Sequence, residues 1–233
     1  MRRQIREWSH KLYNWLRFCG LRSKPAKKVF ENIYHNNKWS GRSHSGPGSD
    51  LDQTKLVRQG LQQVIAEYNV ETLLDVPCGD WFWMQHLDLS GVKYTGGDIV
   101  EGIIQNNQQY ATDKIEFKFL DLLESQLPAH DLVLCRDCLV HFLYRDIRKA
   151  LDNLLKSNCN YLLTTTFPGR KNYDILTGTW RPIDLESYPF KLPSPLMIIN
   201  EGCTQDKGSY KDKSLALWDL RELKKLQPAN NYE

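Results

Sequence analysis

Thr72-Leu73-Leu74-Asp75-Val76-Pro77-Cys78-Gly79-Asp80 is the stretch whose reading decides the fold. A short apolar run bounded by turn residues reads as a buried strand. Here Thr72 to Val76 is that run, and an aspartate, a proline and a glycine close it. Downstream the pattern repeats. Lys93 to Ile99, Glu116 to Asp121, Asp131 to Arg136 and Tyr161 to Phe167 each read as a strand, the last rich in β-branched residues. Between them, Trp81 to Leu87, Glu101 to Tyr110 and residues 143–156 predict helices, the last from Ile147, Leu151, Leu154 and Leu155. Upstream, Leu56, Gly60, Leu61, Val64 and Ile65 mark a helical face running to about Tyr68, with Asp50 or Asp52 as its cap.

Strands alternating with helices argue for parallel strands joined by crossover helices. Residues 168–195 break the rhythm with prolines and aromatics, including Trp180-Arg181-Pro182. Leu196 to Asn200 and Ser214 to Leu220 then predict an antiparallel hairpin. The expected architecture is a seven-stranded, mostly parallel α/β sheet with a C-terminal antiparallel hairpin and N-terminal helices.

The totals are those of one globular domain: 233 residues with a net charge of +3, too small to argue for nucleic acid by itself. No apolar run approaches the roughly 20 residues needed to span a membrane. The six cysteines do not make a disulfide scaffold in a chain of this length, so a reducing cytoplasm is expected. Cys135 and Cys138 have a Cys-x-x-Cys spacing, but no second ligand pair accompanies them, and no metal is expected. Charge concentrates in residues 1–28, where Ile5, Trp8, Leu12, Trp15, Leu16 and Cys19 recur at helical spacing among nine cations. That basic amphipathic helix could pack on the domain, lie on an anionic membrane surface, meet a protein partner or serve in targeting. Trp39 to Ser49 follows, a glycine- and serine-rich loop that is either a linker or a cover over a ligand. Two units result: residues 1–50, helix and covering loop, and residues 51–233, the α/β domain.

Four strands end in an acid: Asp75, Asp98, Asp121 and Asp137. In an open parallel sheet, ligands bind at the carboxyl ends of the strands. One such acid means little, because aspartate is a common turn residue; four at one edge are harder to dismiss. Asp98 lies roughly twenty residues past the first turn, where a carboxylate accepts hydrogen bonds from a ribose diol. The first turn has one glycine and places Asp80 at the expected start of a helix. A carboxylate there repels phosphate but tolerates an amine or a sulfonium, which disfavours NAD and favours S-adenosylmethionine.

With these residues in view, the chain from about Asp52 onward resembles the class I S-adenosylmethionine-dependent methyltransferases. Trp39 with Ser45-Gly46-Pro47-Gly48-Ser49, Cys78-Gly79-Asp80 followed by Trp81 to Met84, and Trp180-Arg181-Pro182 are together similar to a group of small bacterial-type methyltransferases of unassigned substrate. Asp75-Val76-Pro77-Cys78-Gly79 stands where that family has Asp, any residue, Gly, any residue, Gly, so Pro77 replaces the first glycine. The resemblance implies that Asp75, Pro77, Cys78 and Gly79 line the methionine portion, that Asp98 with Ile99 binds the ribose, and that Asp121 with Leu122 meets the adenine. It also implies that Arg136-Asp137-Cys138-Leu139-Val140-His141 faces both cofactor and acceptor.

Methyl transfer needs alignment and exclusion of water, and an oxygen nucleophile also needs a base. His141 is the first candidate base, with a helix-capping or core role as its alternative; Asp137 is the second, with binding of the cofactor's amino group or capping of the loop as its alternatives. Trp180 and Arg181 are candidate acceptor-binding residues, with Arg181 facing an anionic group and a packed surface loop as the alternative. The expected function is methyl transfer to an O or N atom of a small molecule, with a sugar or glycan component as one class. The alternatives are an RNA or protein methyltransferase and a non-catalytic methyltransferase-like binding or scaffold protein.

Overall fold

The computed structural model describes residues 24–226. The strands, in chain order, are β1 (Thr72–Asp75), β2 (Lys93–Asp98), β3 (Ile115–Phe119), β4 (Leu132–Cys135), β5 (Tyr161–Thr166), β6 (Met197–Asn200) and β7 (Ser214–Asp219). They form one sheet in the order β3-β2-β1-β4-β5-β7-β6. The first five strands pair in parallel. β7 runs antiparallel to both β5 and β6, from Tyr161 opposite Asp219 to Thr166 opposite Ser214 on the first side. This is the seven-stranded mixed sheet that the alternation predicts.

Strands buried on both faces need apolar residues in succession rather than in alternation. Successive side chains point to opposite faces, so Leu74, Val133, Leu162 and Ala216 enter one core cluster, while Leu73, Leu134, Leu163 and Leu217 enter the other. Helix α1 spans Ala26–His35 and α2 spans Lys55–Glu67. Val57, Leu61 and Val64 of α2 cover the second cluster. Helix α3 (Glu101–Asn107) follows β2, and α4 (Tyr144–Lys156) follows β4 and closes the first cluster with Ile147, Leu151 and Leu154. A seven-residue α5 (Leu220–Leu226) continues directly from β7, where sequence patterning suggested only the end of a strand.

Three other details differ from expectation. Trp81 to Leu87 is not a helix; only a 3-10 turn forms there, at Met84–His86. Gly79 and Trp81 both have positive φ, 54° and 58°, which stops a helix from nucleating. The buried Trp81 ring instead packs among Tyr94, Tyr110 and Phe117. Neither Asp50 nor Asp52 caps α2: Thr54 holds that position without a side-chain cap. The basic amphipathic pattern of residues 1–28 lies outside the described residues up to residue 23, and the tail after Leu226 lies wholly outside them.

Among the described residues, no helix is long and apolar enough to cross a membrane. Sequence order runs from β1 outward to β3, then returns to β4 on the other side of β1. The switch point therefore lies between the carboxyl ends of β1 and β4.

Gly60 of α2 sits against the edge strand β6, where an added Cβ would come within 2.4 Å of Ile199 Cγ2. Gly60→Val should cost about 1–3 kcal/mol in a urea unfolding experiment, and Ile199→Ala in the same chain should return part of that loss. An unchanged midpoint for the single variant would show that α2 does not rest on β6.

Candidate active site

A cavity of about 410 Å³ opens at this switch point, within the size range of small-molecule sites. All four strand-end acids line it: Asp75, Asp98, Asp121 and Asp137. Pro77, Cys78, Gly79, Ile99, Leu122 and Arg136 line it as well.

Asp98 is buried and held from two sides. Val100 N–H donates to its Oδ1 at 2.9 Å, and Gly79 N–H donates to its Oδ2 at 3.2 Å. Burial pushes its carboxyl up to about 6, against those backbone donors. Asp75 accepts the Tyr94 hydroxyl at 2.7 Å, and burial pushes it up to about 7. Asp121 is half-buried and accepts from Leu123 N–H at 2.8 Å; burial raises it too. Burial also raises the Cys78 thiol, which makes it inert as a nucleophile. The Val76–Pro77 peptide bond is cis.

Asp137 differs from these three. Burial alone would raise it, but Lys213 and Arg136 beside it hold its carboxyl well below the usual carboxylate range. Lys213 Nζ stands 2.6 Å and Arg136 Nη1 3.3 Å from Asp137 Oδ2. Both cations also meet Glu201 Oε2, Arg136 Nη2 at 2.7 Å and Lys213 Nζ at 3.3 Å. A carboxylate committed to two cations is a poor proton acceptor, so the assignment of Asp137 as second base is corrected: it is an anchor for charge. Glu201 and Lys213 escape sequence reading, since single charges beside short apolar runs look like ordinary strand ends.

The loop of residues 39–49 folds over the cavity. Trp39 and residues 44–49 line it, and Asp80 ties it down. The Asp80 carboxylate accepts from Ser43 Oγ at 2.8 Å, His44 N–H at 2.7 Å and Ser45 Oγ at 3.4 Å. Arg136 Nη2 holds the other end of the loop through Gly48 O at 2.9 Å. The sequence pattern places Asp80 at a helix start facing the ligand. No helix begins there, and its charge is spent on the loop.

His141 lies in a 3-10 turn, Leu139–His141. Its Nδ1 is 2.8 Å from Thr179 O. A carbonyl can only accept, so Nδ1 carries the proton and Nε2 keeps the lone pair in the neutral ring. The imidazole stacks on Trp39, with centroids 4.7 Å apart. It lines the cavity and does not cap α4. Burial lowers its pKa.

Trp180 also lines the cavity, edge-on to Phe167 at 5.9 Å and Tyr210 at 4.7 Å. Arg181 does not face an anionic ligand. It is fully buried, and its guanidinium donates to the carbonyls of Leu139, Phe142 and Tyr173. Among the described residues, no group of three His, Cys, Asp or Glu is placed to hold a metal ion.

No protein-family model matches the sequence, and no curated protein matches it. Solved structures do match the fold. The methyltransferase domain of bacterial CtHen1-C superposes with a TM-score of 0.54 at 13% identity, covering 73% of this chain and 98% of that one. N-methyltransferase NodS from Bradyrhizobium japonicum WM9 gives 0.50 at 13% identity, covering 73% and 97%.

The fold is that of the class I S-adenosylmethionine-dependent methyltransferases. Within the methyltransferase fold, Asp98 stands at the end of the second strand and Gly79 at the turn after the first, with Arg136 to His141 following the fourth.

Asp80→Ala should release residues 43–45 while the sheet stays intact, because the bonds lost are local to that end of the loop. Amide exchange at His44 and Ser45 should accelerate while exchange at Leu73 and Leu74 stays slow. Equal protection in variant and parent would show that the loop is held by something other than Asp80.

Proposed function

We propose that the protein is an S-adenosylmethionine-dependent methyltransferase that methylates an O or N atom of a small molecule, with a sugar or glycan component as the favoured acceptor class. The observation that carries this reading is Asp98, a buried carboxylate fixed by two backbone N–H groups in a cavity at the switch point of a methyltransferase-type sheet.

The residues fit the cofactor. Gly79 has φ 54°, and a Cβ there would come within 2.1 Å of Ser45 Oγ, so turn and covering loop close together only over glycine. At the cavity floor, Asp137 Oδ1 and Arg136 Nε are buried without a hydrogen-bond partner, as suits groups that meet a ligand's polar atoms. Asp98 would accept from the ribose hydroxyls, Asp121 with Leu122 would meet the adenine, and Asp75 and Gly79 would line the methionine portion. When bound, the cofactor supplies an electrophilic methyl group on a sulfonium.

His141 serves as the base. Its Nε2 takes the proton from the acceptor, and Thr179 O steadies the charge that then appears on the ring through Nδ1–H. Burial keeps the resting imidazole neutral, hence able to accept. Trp39 covers one face of the ring, and Trp180 and Tyr210 line the same cavity. Aromatic rings lining a cavity suit the C–H surface of a sugar, which is what favours that acceptor class. The free, buried cysteines suit a reducing cytoplasm, where we place the protein.

Calorimetric titration with S-adenosylmethionine tests the reading. Asp98→Ala should weaken binding roughly 10- to 150-fold, since a charge-assisted hydrogen bond contributes about 1.5–3 kcal/mol. No heat from folded parent protein would refute the reading.

The pH dependence has a defined sign. Asp98 accepts best when ionised, and its folded value is about 6. Affinity should therefore fall as the pH drops through that value, by up to roughly tenfold per pH unit from Asp98, with Asp75 adding to the loss from about 7 downward. Affinity that rises on acidification would place the ribose elsewhere.

His141→Ala should abolish most methyl transfer to a hydroxyl acceptor, roughly 10²–10⁴-fold, while the cofactor titration stays as in the parent. Undiminished turnover would exclude His141 as the base.

A further inference from the structure

We infer that Arg181 is a positioning residue for His141, holding the turn that carries the imidazole from both sides. This rests on the reading of His141 as the base, although the geometry itself can be measured without any reaction.

The turn would be a poor mount for a base on its own. It is one 3-10 turn, entered through Asp137 at φ 52°. Its internal bonds are His141 N–H to Cys138 O at 2.9 Å and Phe142 N–H to Leu139 O at 3.2 Å. Such turns have weak hydrogen-bond geometry and seldom stand without support.

The segment 178–181 supplies that support. Arg181 Nη1 donates to Leu139 O at 2.9 Å and Nη2 to Phe142 O at 2.9 Å, so one guanidinium spans the turn. Arg181 N–H donates to Val140 O at 3.1 Å, and Gly178 N–H donates to His141 O at 2.8 Å. Every carbonyl from Leu139 to Phe142 therefore accepts from this segment, and Thr179 O takes the imidazole's Nδ1 proton in return. Arg181 Nε reaches back to Tyr173 O at 3.2 Å and so fixes the guanidinium itself.

Only arginine has the planar fork that this task requires. A lysine ammonium is a single point that cannot reach two carbonyls with the same geometry. Burial lowers the Arg181 pKa to about 10, so the guanidinium still carries its charge near neutrality. That charge, with burial and Lys213, opposes protonation of His141, while the Thr179 carbonyl and Asp137 favour it.

The test is ¹⁵N spectroscopy of the imidazole in the full chain, with His141 assigned by comparison with His141→Gln. The parent should show one neutral tautomer, protonated at Nδ1. Arg181→Lys and Arg181→Gln should remain folded and keep their affinity for S-adenosylmethionine, yet lose that single tautomer to a mixture. A merely structural role would lower the unfolding midpoint and leave the tautomer alone, so a folded variant with the parent's single tautomer overturns the inference. Should neither variant fold, the parent decides. Slow exchange of the Arg181 Nη protons and the Gly178 amide supports the clamp, and exchange at open-surface rates overturns it. If the clamp is found but His141→Ala leaves methyl transfer undiminished, the assignment of the base fails while the geometry stands.

Discussion

A buried cation at the end of β4 sets the terms for everything around it. The Arg136 side chain is 5% exposed and cannot be left unpaired in that position. Glu201, from just past β6, and Asp137, from the next position in the chain, supply two negative charges, and Lys213 at the start of β7 supplies the second positive one. The quartet sums to zero formal charge. It joins the parallel half of the sheet to the antiparallel hairpin and, through Gly48 O, to the covering loop. A buried network of this kind is weak evidence for stability, because well-packed apolar residues can do as well. Its value here is geometric. Removing one member strands the others in a dry place, so the three segments keep one relative arrangement, and the cavity floor is part of that arrangement.

With Arg136 and Lys213 neutralised, the electrostatic character of the cavity comes from its other acids. Asp75 and Asp98 are both displaced upward by burial, to about 7 and about 6. Each gains by meeting positive charge or hydrogen-bond donors, and neither would welcome a phosphate. On the proposed reading, the preference for a ligand bearing a sulfonium or an amine rests on Asp75 and Asp98 rather than on Asp80, which is absent from the cavity lining. Asp80 acts one step away, by closing the loop of residues 39–49 over the turn at Gly79.

The strands were legible because a doubly covered parallel sheet demands consecutive apolar residues, and Leu73-Leu74 or Leu132-Val133-Leu134 have few other uses. The acids at their ends were legible for the same reason: an aspartate closing such a run falls at the sheet edge where ligands bind. Other features depend on information that local patterns lack. Trp81 to Leu87 has helical spacing, and only the left-handed backbone at Gly79 and Trp81 prevents the helix. The Glu201–Arg136 pair joins residues 65 positions apart, and Lys213–Asp137 joins residues 76 apart. Arg181 sits in an aromatic, proline-rich segment, where an arginine looks ligand-facing. Its partners are main-chain carbonyls, which any residue could have supplied and which therefore leave no mark in the sequence.

On the proposed reading, His141 and Asp137 divide the labour of the site. Both stand on the segment after β4, and both carry a group able to accept a proton. The surroundings separate them. Two cations draw the Asp137 carboxyl down so that it keeps its charge, whereas burial leaves the His141 imidazole neutral with Nε2 unprotonated. A lowered imidazole pKa makes a weaker base in absolute terms. A sulfonium methyl is already a strong electrophile, though, so the nucleophile needs modest activation and accurate alignment, and alignment is the larger effect. The stack on Trp39, the Thr179 carbonyl and the Arg181 fork all restrict where the ring can point. On the proposed reading, the protein holds a mild base still and leaves most of the chemical driving force to the methyl donor.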